Sequence, residues 1–348
     1  MNYKKSILFS GTVTIVFFLG IIYTNNIFHS ALDVKKKELV LVEIKRGMGL
    51  SDISLLLSKK RIIKYRYLFN MQIILRGGSS NLKVGIYELS PSMTQNKIYK
   101  KISKGTIVTR TITIPEGFTV KMIAERLEKN GIARKKDIVR LSGEKEFILS
   151  LGLKVHSLEG YLFPDTYVLK VKMHPELVLK KMLKNLRKKI TAEIKMKIQK
   201  QEKTLHEVLT LASIIEKETS ISKERFLIAS VFLNRLKKNM RLQSDPTVIY
   251  SLPNLKGKLS KKNLSYNSPY NTYLHRGLPP GPIANPGIQS ILAVLNPSKE
   301  VFLYFVAKGD NGHIFSKTYK EHRANIRFIK KQRFRKVDLN YGTVSSSK

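Results

Sequence analysis

Ile44-Lys45-Arg46-Gly47, followed by Leu50, Ile53, Leu57 and Ile62, recurs as Ile114-Pro115-Glu116-Gly117, followed by Val120, Ile123, Leu127 and Ile132, at a constant offset of 70 residues. Each copy reads as a strand, a Gly turn, an amphipathic helix with apolar positions three and four apart, and a second short apolar segment. The first helix begins at Ser51 or just before it and the second near Thr119, both reasonable caps. Two copies do not make a solenoid. They predict two small β-α modules, or one split module. Between them Gly85-Ile86-Tyr87-Glu88-Leu89 and Ile107 to Ile114 alternate apolar and polar residues, as half-buried strands do.

Upstream of the first copy, Ser6 to Thr24 (SILFSGTVTIVFFLGIIYT) carries no charge over 19 residues. A helix of that length just spans a bilayer core of about 30 Å. Lys4 and Lys5 precede it, Tyr23 sits at its far edge, and no Ala-x-Ala cleavage site follows. The expectation is an uncleaved anchor: a cytoplasmic tail at 1–5, a transmembrane helix at 6–24 and a linker at 25–40. Lys35, Lys36 and Lys37 offset Lys4 and Lys5, so charge does not fix the orientation. The shortness of the tail places the body outside the cytoplasm.

The chain has 348 residues, which allows about two domains. Its hydrophobic fraction of 42% supports a real core and excludes global disorder. Without cysteine there are no disulfides, thiolate metal sites or cysteine nucleophiles. The net charge of +39 fits an anionic partner or environment, although lysine spread along the whole chain also fits a plain coding bias.

Downstream, 175–203 reads as a basic amphipathic helical region, and 205–220 and 223–238 as two more helices. Residues 250–286 change to Asn, Ser, Pro, Gly and Tyr, a long polar loop of the kind that carries function. Val301 to Ala307 reads as a buried strand with a turn at 309–312, and 336–348 as a flexible tail. On the wheel of 205–220, His206, Thr210, Ser213 and Lys217 form a polar arc, while Glu216 and Glu218 fall at the flanks of the apolar side. A carboxylate there is either desolvated, with a raised pKa suited to a general acid, or paired with a base such as Arg225. Periodicity leaves both glutamates open. The loop supplies planar amides and aromatic rings, which suit the hydroxyls, acetamides and ring faces of a glycan.

The segments EGYLFPDTY (159–167), ASIIEKET (212–219), ASVFLNRL (229–236), RLQSDPTVIY (241–250), SPYNTY (268–273), GLPPGPIANPG (277–287) and GHIFSKTYKEH (312–322) together resemble the YceG-like endolytic murein transglycosylase (MltG) family. The likeness runs from about Ile44 to Ile329, with Arg323 standing where the family tends to have Asn. It implies an α+β protein: a single N-terminal transmembrane helix, a LysM-like module at 41–110, and a mixed α/β catalytic domain at 111–335 that includes the second small repeat at 114–139.

The resemblance implies a lytic enzyme. It would cut the β-1,4 MurNAc-GlcNAc bond within peptidoglycan strands to leave 1,6-anhydroMurNAc ends, terminating nascent strands. The implied location is the inner (plasma) membrane, with the body on the periplasmic or extracytoplasmic side. The implied partners are glycan strands, peptidoglycan synthases (penicillin-binding proteins) and the membrane, with no nucleic acid. The family's catalytic residue maps onto Glu218. Gln243, Asp245, Tyr270, Asn271, Thr272 and Tyr273 are expected to line the cleft, with Glu216, Asp165, His313 and Glu321 as secondary candidates. No cofactor or metal is expected, because His313 and His322 lack a third ligand. The alternatives are a non-catalytic peptidoglycan-binding anchor, a water-using muramidase and, from charge alone, a nucleic-acid-binding membrane protein. The last lacks a helix-turn-helix, zinc or RNP signature.

Overall fold

The computed structural model describes residues 2–342 except 253, 254, 256, 258, 310 and 311, with the side chains of 2–9, 79 and 333–342 left aside. In chain order the elements are α1 (Asn2–Phe28), β1 (Val40–Ile44), α2 (Leu50–Lys59), α3 (Arg66–Leu75), β2 (Gly85–Leu89), α4 (Gln95–Lys104), β3 (Thr109–Thr113), α5 (Val120–Lys129), α6 (Lys135–Gly143), α7 (Lys145–Ser150), β4 (Thr166–Lys170), α8 (Pro175–Lys189), α9 (Ala192–Lys200), α10 (Leu205–Glu218), α11 (Ser222–Lys237), α12 (Asp245–Ser251), α13 (Ile288–Leu295), β5 (Tyr304–Ala307), β6 (His313–Ser316) and α14 (Tyr319–Gly342). Among the described residues the strands form three separate two-stranded pairs, β1-β2, β3-β4 and β5-β6, so the fold is mixed α/β and mostly helical. The chain forms two compact units. One comprises Met1–Arg110 and Val168–Lys172, the other Thr111–Tyr167 and Met173–Lys348.

The repeat is structural. Ile44, the last residue of β1, and Ile114, just past β3, are buried, and Ile53, Leu57 and Ile62 match Ile123, Leu127 and Ile132, all without exposed surface. Gly47 and Gly117 both take positive φ, as do Arg61 and Gly131 at the equivalent helix exits. The amides of Ile62 and Ile132 each donate to the leucine carbonyl five residues earlier at 2.9 Å. The 3.6-residue periodicity thus finds the same core face twice.

In the first unit β1 and β2 run antiparallel, Val40 opposite Leu89 and Ile44 opposite Gly85. Their inner face packs with α2, α3 and α4 around Val42, Ile53, Leu57, Phe69, Ile73, Tyr87 and Ile98. Phe28 belongs to this core, 1% exposed, with its ring 6.3 Å from that of Phe69. This corrects the expected boundaries. The first helix does not stop at 24 but runs to Phe28 because that residue has a core to enter. Nor is 25–40 a free linker: Asp33 N–H donates to Pro91 O at 3.0 Å, and Ser90 Oγ donates to Lys36 O at 2.9 Å. Ser10–Phe28 is apolar over 19 residues, long enough to cross a membrane.

In the second unit α10 lies at the centre, packed by α11, α12 and α13. Its start is a capping box: Thr204 Oγ1 accepts from Glu207 N–H at 3.1 Å, and Glu207 returns a carboxylate to Thr204 N–H at 2.7 Å. Of the polar arc, Thr210 and Ser213 are buried, His206 is half-buried and Lys217 is exposed. Ser213 Oγ accepts from Ile283 N–H at 2.9 Å, and His206 Nε2–H donates to Pro280 O at 2.9 Å. The 277–287 loop covers this side of the helix. The expected helical region 175–203 is two helices broken at Ile190, with Thr191 capping the second. The strand expected at 301–307 is β5, which begins at Tyr304 and is half-buried rather than buried. The expected tail at 336–348 is helical to Gly342, and its remainder lies outside the described residues.

Replacing Phe28 by Ala should lower the stability of the first unit by about 3–5 kcal/mol, the usual cost of emptying a buried Phe site. Urea unfolding of the detergent-solubilised chain measures it. An unchanged midpoint would mean that the helix end is not part of the core.

Candidate active site

The C-terminal residue of α10 is Glu218. Its carboxyl lines a cavity of about 260 Å³ with Arg235, Gln243, Asp245, Tyr273, Phe305 and His322. Burial raises the Glu218 pKa to about 7. A hydrogen bond from Ser244 and the Arg235 charge oppose that rise, and the Asp245 charge adds to it. The Ser244 hydroxyl donates to Glu218 Oε1. Ser244 is the N-cap residue of α12, yet its side chain makes no cap. It gives up a contact worth about 0.5–2 kcal/mol to hold the carboxyl.

The backbone around Ser244 is built for that aim. Gln243 sits at φ 50°, a left-handed conformation that non-glycine residues seldom adopt. It is pinned because Gln243 N–H donates to Thr272 O at 3.1 Å and Ser244 N–H donates to Thr272 Oγ1 at 3.0 Å. Arg235, from α11, is locked by two backbone carbonyls, Nε to Leu303 O at 2.7 Å and Nη1 to Leu242 O at 2.5 Å. Tyr273 donates its hydroxyl to Asp245 Oδ1 at 2.6 Å. His322 stacks on Tyr304, with ring centroids 5.2 Å apart. Burial, and then the Arg235 charge, lower the His322 pKa, so the ring is neutral at pH 7. Its Nδ1 is buried and has no hydrogen-bond partner among the described residues.

Of the residues proposed from sequence, Glu218, Gln243, Asp245 and Tyr273 therefore meet at one cavity. Asn271 and Thr272 do not line it. Asn271 is 0% exposed, and its amide donates to Leu264 O at 3.0 Å and Tyr266 O at 2.8 Å while accepting from Tyr273 N–H at 2.9 Å. Thr272 is 2% exposed and faces Ser244 and Thr247. Both brace the loop: their polar character, which suggested sugar binding, is used up on the backbone. Tyr270 packs on Tyr250 at 5.0 Å.

Glu216 points away from the cavity. Its side chain pairs with Arg225 at 3.0 Å and accepts from Gly287 N–H at 3.0 Å and Ser290 Oγ at 2.7 Å, closing the start of α13. Asp165 holds Asn185 and the Thr166 amide, and these bonds keep its pKa low. His313 Nδ1–H donates to Glu224 at 2.6 Å, and exposed Glu321 accepts from Lys317 N–H at 3.0 Å at the start of α14.

A second buried carboxyl was not singled out in the sequence. Glu159 is 4% exposed; both its oxygens accept from Val120 N–H, at 3.0 and 3.1 Å, and Oε1 accepts from Asn285 Nδ2 at 2.9 Å. Burial outweighs these bonds and raises its pKa to about 7. It lies within EGYLFPDTY, between two glycine-containing segments, but nothing in its spacing marks it as buried. Ser244 and Arg235 were equally silent, because their roles rest on contacts between distant segments, whereas His322, noted in the sequence beside His313 as a hydrogen-bonding group, proves to line the cavity. A larger cavity of about 820 Å³ borders α10 near Leu211, Leu233 and Val294. The one acid it draws from α10, Glu207, is committed to the capping box, so the smaller cavity is the one equipped for proton transfer.

Residues 42–328 match the YceG-like family. The chain belongs to that family. It is 36% identical over 313 residues to an endolytic murein transglycosylase of Bacillus subtilis, covering 84% of this chain and 86% of that protein. A protein of the same name from Streptococcus pneumoniae is 30% identical over 327 residues, covering 85% of this chain and 59% of that one. The crystal structure of a yceG-like protein from Listeria monocytogenes is 40% identical, covers 83% of this chain and 99% of that one, and superposes with a TM-score of 0.58.

Glu159 and Glu218 both have folded pKa values of about 7 against an ordinary 4.5. A raised pKa means the fold prefers the protonated carboxyl. That part of the stability is full below pH 4.5 and is lost as pH rises through about 7. Glu159→Gln and Glu218→Gln should each flatten this loss, measured as urea midpoints on either side of that window. A variant that loses as much stability as the parent would refute the desolvation of its carboxyl.

Proposed function

We propose that the chain is an endolytic murein transglycosylase, a lyase acting on peptidoglycan, with Glu218 as its single acid/base. The observation that carries this is the desolvated Glu218 carboxyl facing a polar cavity, in a chain most of whose length matches relatives of that name. A carboxyl with a pKa of about 7 is protonated often enough to give a proton and ionised often enough to take one.

The reaction balances without water. Glu218 protonates the glycosidic oxygen, the C1–O bond breaks, and the electron pair leaves with the GlcNAc O4. The C6 hydroxyl of MurNAc then attacks C1 and closes the 1,6-anhydro ring, and its proton goes to the Glu218 carboxylate. No carboxylate nucleophile is needed, unlike a retaining hydrolase. Asp245 is tied to Tyr273, which favours a binding role for the pair. Arg235 and the Ser244 hydroxyl support the ionised form that appears half-way through. The free Nδ1 of His322 suits a sugar hydroxyl.

The remaining expectations belong to the same reading. Ser6 to Thr24 anchors the chain in the plasma membrane with its body outside the cytoplasm, and peptidoglycan synthases are its partners. The 41–110 module is LysM-like and touches glycan. A recess of about 400 Å³ lined by Asn81, Lys83, Tyr99 and Ser103 favours that role.

Digestion of purified sacculi with mass analysis of the fragments is the test. The parent should release anhydro ends. Glu218→Gln should still bind strands but lose at least about 10²–10⁴-fold in rate. Reducing ends in place of anhydro ends would make the enzyme a hydrolase, and near-normal turnover in Glu218→Gln would move the acid elsewhere. Ser244→Ala removes a bond that favours the ionised carboxyl, so the alkaline limb of kcat/KM should shift to higher pH; a limb that stays in place would contradict the role given to Ser244.

A further inference from the structure

Helix α3 has two apolar faces, and only one of them has a partner. Phe69, Gln72 and Ile73 enter the core of the first unit. On the other side Tyr67, Met71, Ile74 and Leu75 are 71%, 38%, 60% and 71% exposed. Their spacing of four, three and one residues makes a continuous stripe on one face of the helix. Tyr65, 42% exposed, immediately precedes the helix. Basic groups flank the stripe rather than interrupt it. The Lys64 ammonium lies 5.0 Å from the Tyr65 ring centre, the Arg66 guanidinium lies 4.5 Å from that of Tyr67, and Arg76 follows the last turn.

The place of this helix decides what the stripe meets. α3 packs against α1, with Phe69 on Phe28 in the last turn of α1. Arg76 Nη2 donates to Asn25 Oδ1 at 3.2 Å, and its guanidinium lies 4.5 Å from the Phe28 ring centre. The stripe is therefore held beside the point where the apolar stretch Ser10–Phe28 ends. A short helix with an apolar, tyrosine-bearing face edged by Lys and Arg has the make-up of an element lying in a bilayer interface, aromatic rings at headgroup level and cations on anionic lipid. A protein partner of like charge would be repelled, since this chain carries a net +39.

We infer that the Tyr67-Met71-Ile74-Leu75 face of α3, with Lys64, Arg66 and Arg76, is a second membrane contact that lies in the headgroup region of an anionic bilayer. The inference rests on the proposal that α1 spans the membrane. With it, the first unit is fixed on the bilayer surface by two elements rather than suspended from one.

The absence of cysteine makes the test direct, because any introduced thiol is unique. Full-length chains carrying one spin label, at Leu75→Cys, Phe17→Cys or Lys180→Cys, are reconstituted in vesicles of phosphatidylcholine with phosphatidylglycerol. Collision with oxygen and with a water-soluble nickel chelate is then measured. The label at 75 should meet the chelate several-fold less than the label at 180 and meet oxygen more, and the difference should shrink in vesicles of phosphatidylcholine alone. Chelate access at 75 equal to that at 180, with 17 still shielded, overturns the inference and leaves the anchor standing. Full chelate access at 17 overturns the anchor itself. Shielding at 75 from both reagents, with dipolar broadening between labels, would mean that a second copy covers the face, and also overturns the inference.

Discussion

A carboxyl that must lose and regain a proton within one reaction has to be kept out of bulk water without being neutralised for good. Glu218 meets that constraint by its position. It is the last residue of a helix whose interior is buried almost all round, so its backbone belongs to the core while its side chain reaches a cavity. Burial pushes its pKa up, and one hydroxyl and one guanidinium hold it near 7. Much of the surrounding structure serves to keep those two groups in place.

Ser244 illustrates the cost. As first partner of α12 it would ordinarily satisfy that helix's own amides, and its neighbours Asp245 and Pro246 are typical of a helix start. Its hydroxyl is turned to Glu218 instead, by a left-handed Gln243 that Thr272 pins through two hydrogen bonds. Asn271 in turn fixes the loop that carries Thr272. Glu159 acts at the other end of the same unit. It joins the start of α5 to Asn285 in the loop that covers α10, and Asn285 passes the connection on to Leu162 N–H at 2.8 Å and Phe118 O at 2.9 Å. Polar groups left unpaired in such surroundings are expensive, so each of these contacts is doubly committed.

What the sequence made legible follows from the range over which each signal acts. The repeat, the helix of Glu218 and the apolar stretch near the amino terminus all rest on local periodicity, and all three are present. Glu216 and Glu218 could not be separated that way, since both flank the same apolar side; only the partners at Arg225, Gly287 and Ser290 assign the first to structure. The polar loop was read by its amides and rings as a glycan surface. Tyr273 lies at the cavity, but Asn271 and Thr272 are consumed by the loop's own backbone, a distinction that composition does not carry. Ser244, Arg235 and Glu159 gain their roles from contacts across many residues of sequence, and no single-chain pattern encodes those. The helix end at Phe28 was missed for a related reason: hydropathy marks where an apolar stretch thins out, whereas the helix ends where its last side chain finds a core.

The account turns on one property, the proton affinity of Glu218 in the folded chain. The direct measurement is a titration of its side-chain carbon by NMR on protein labelled with ¹³C-glutamate, with the resonance assigned by its loss in Glu218→Gln. The structure predicts a midpoint near 7. A midpoint at the free value of about 4.3 would show a solvated carboxylate, unable to supply the first proton, and would contradict the account at its root.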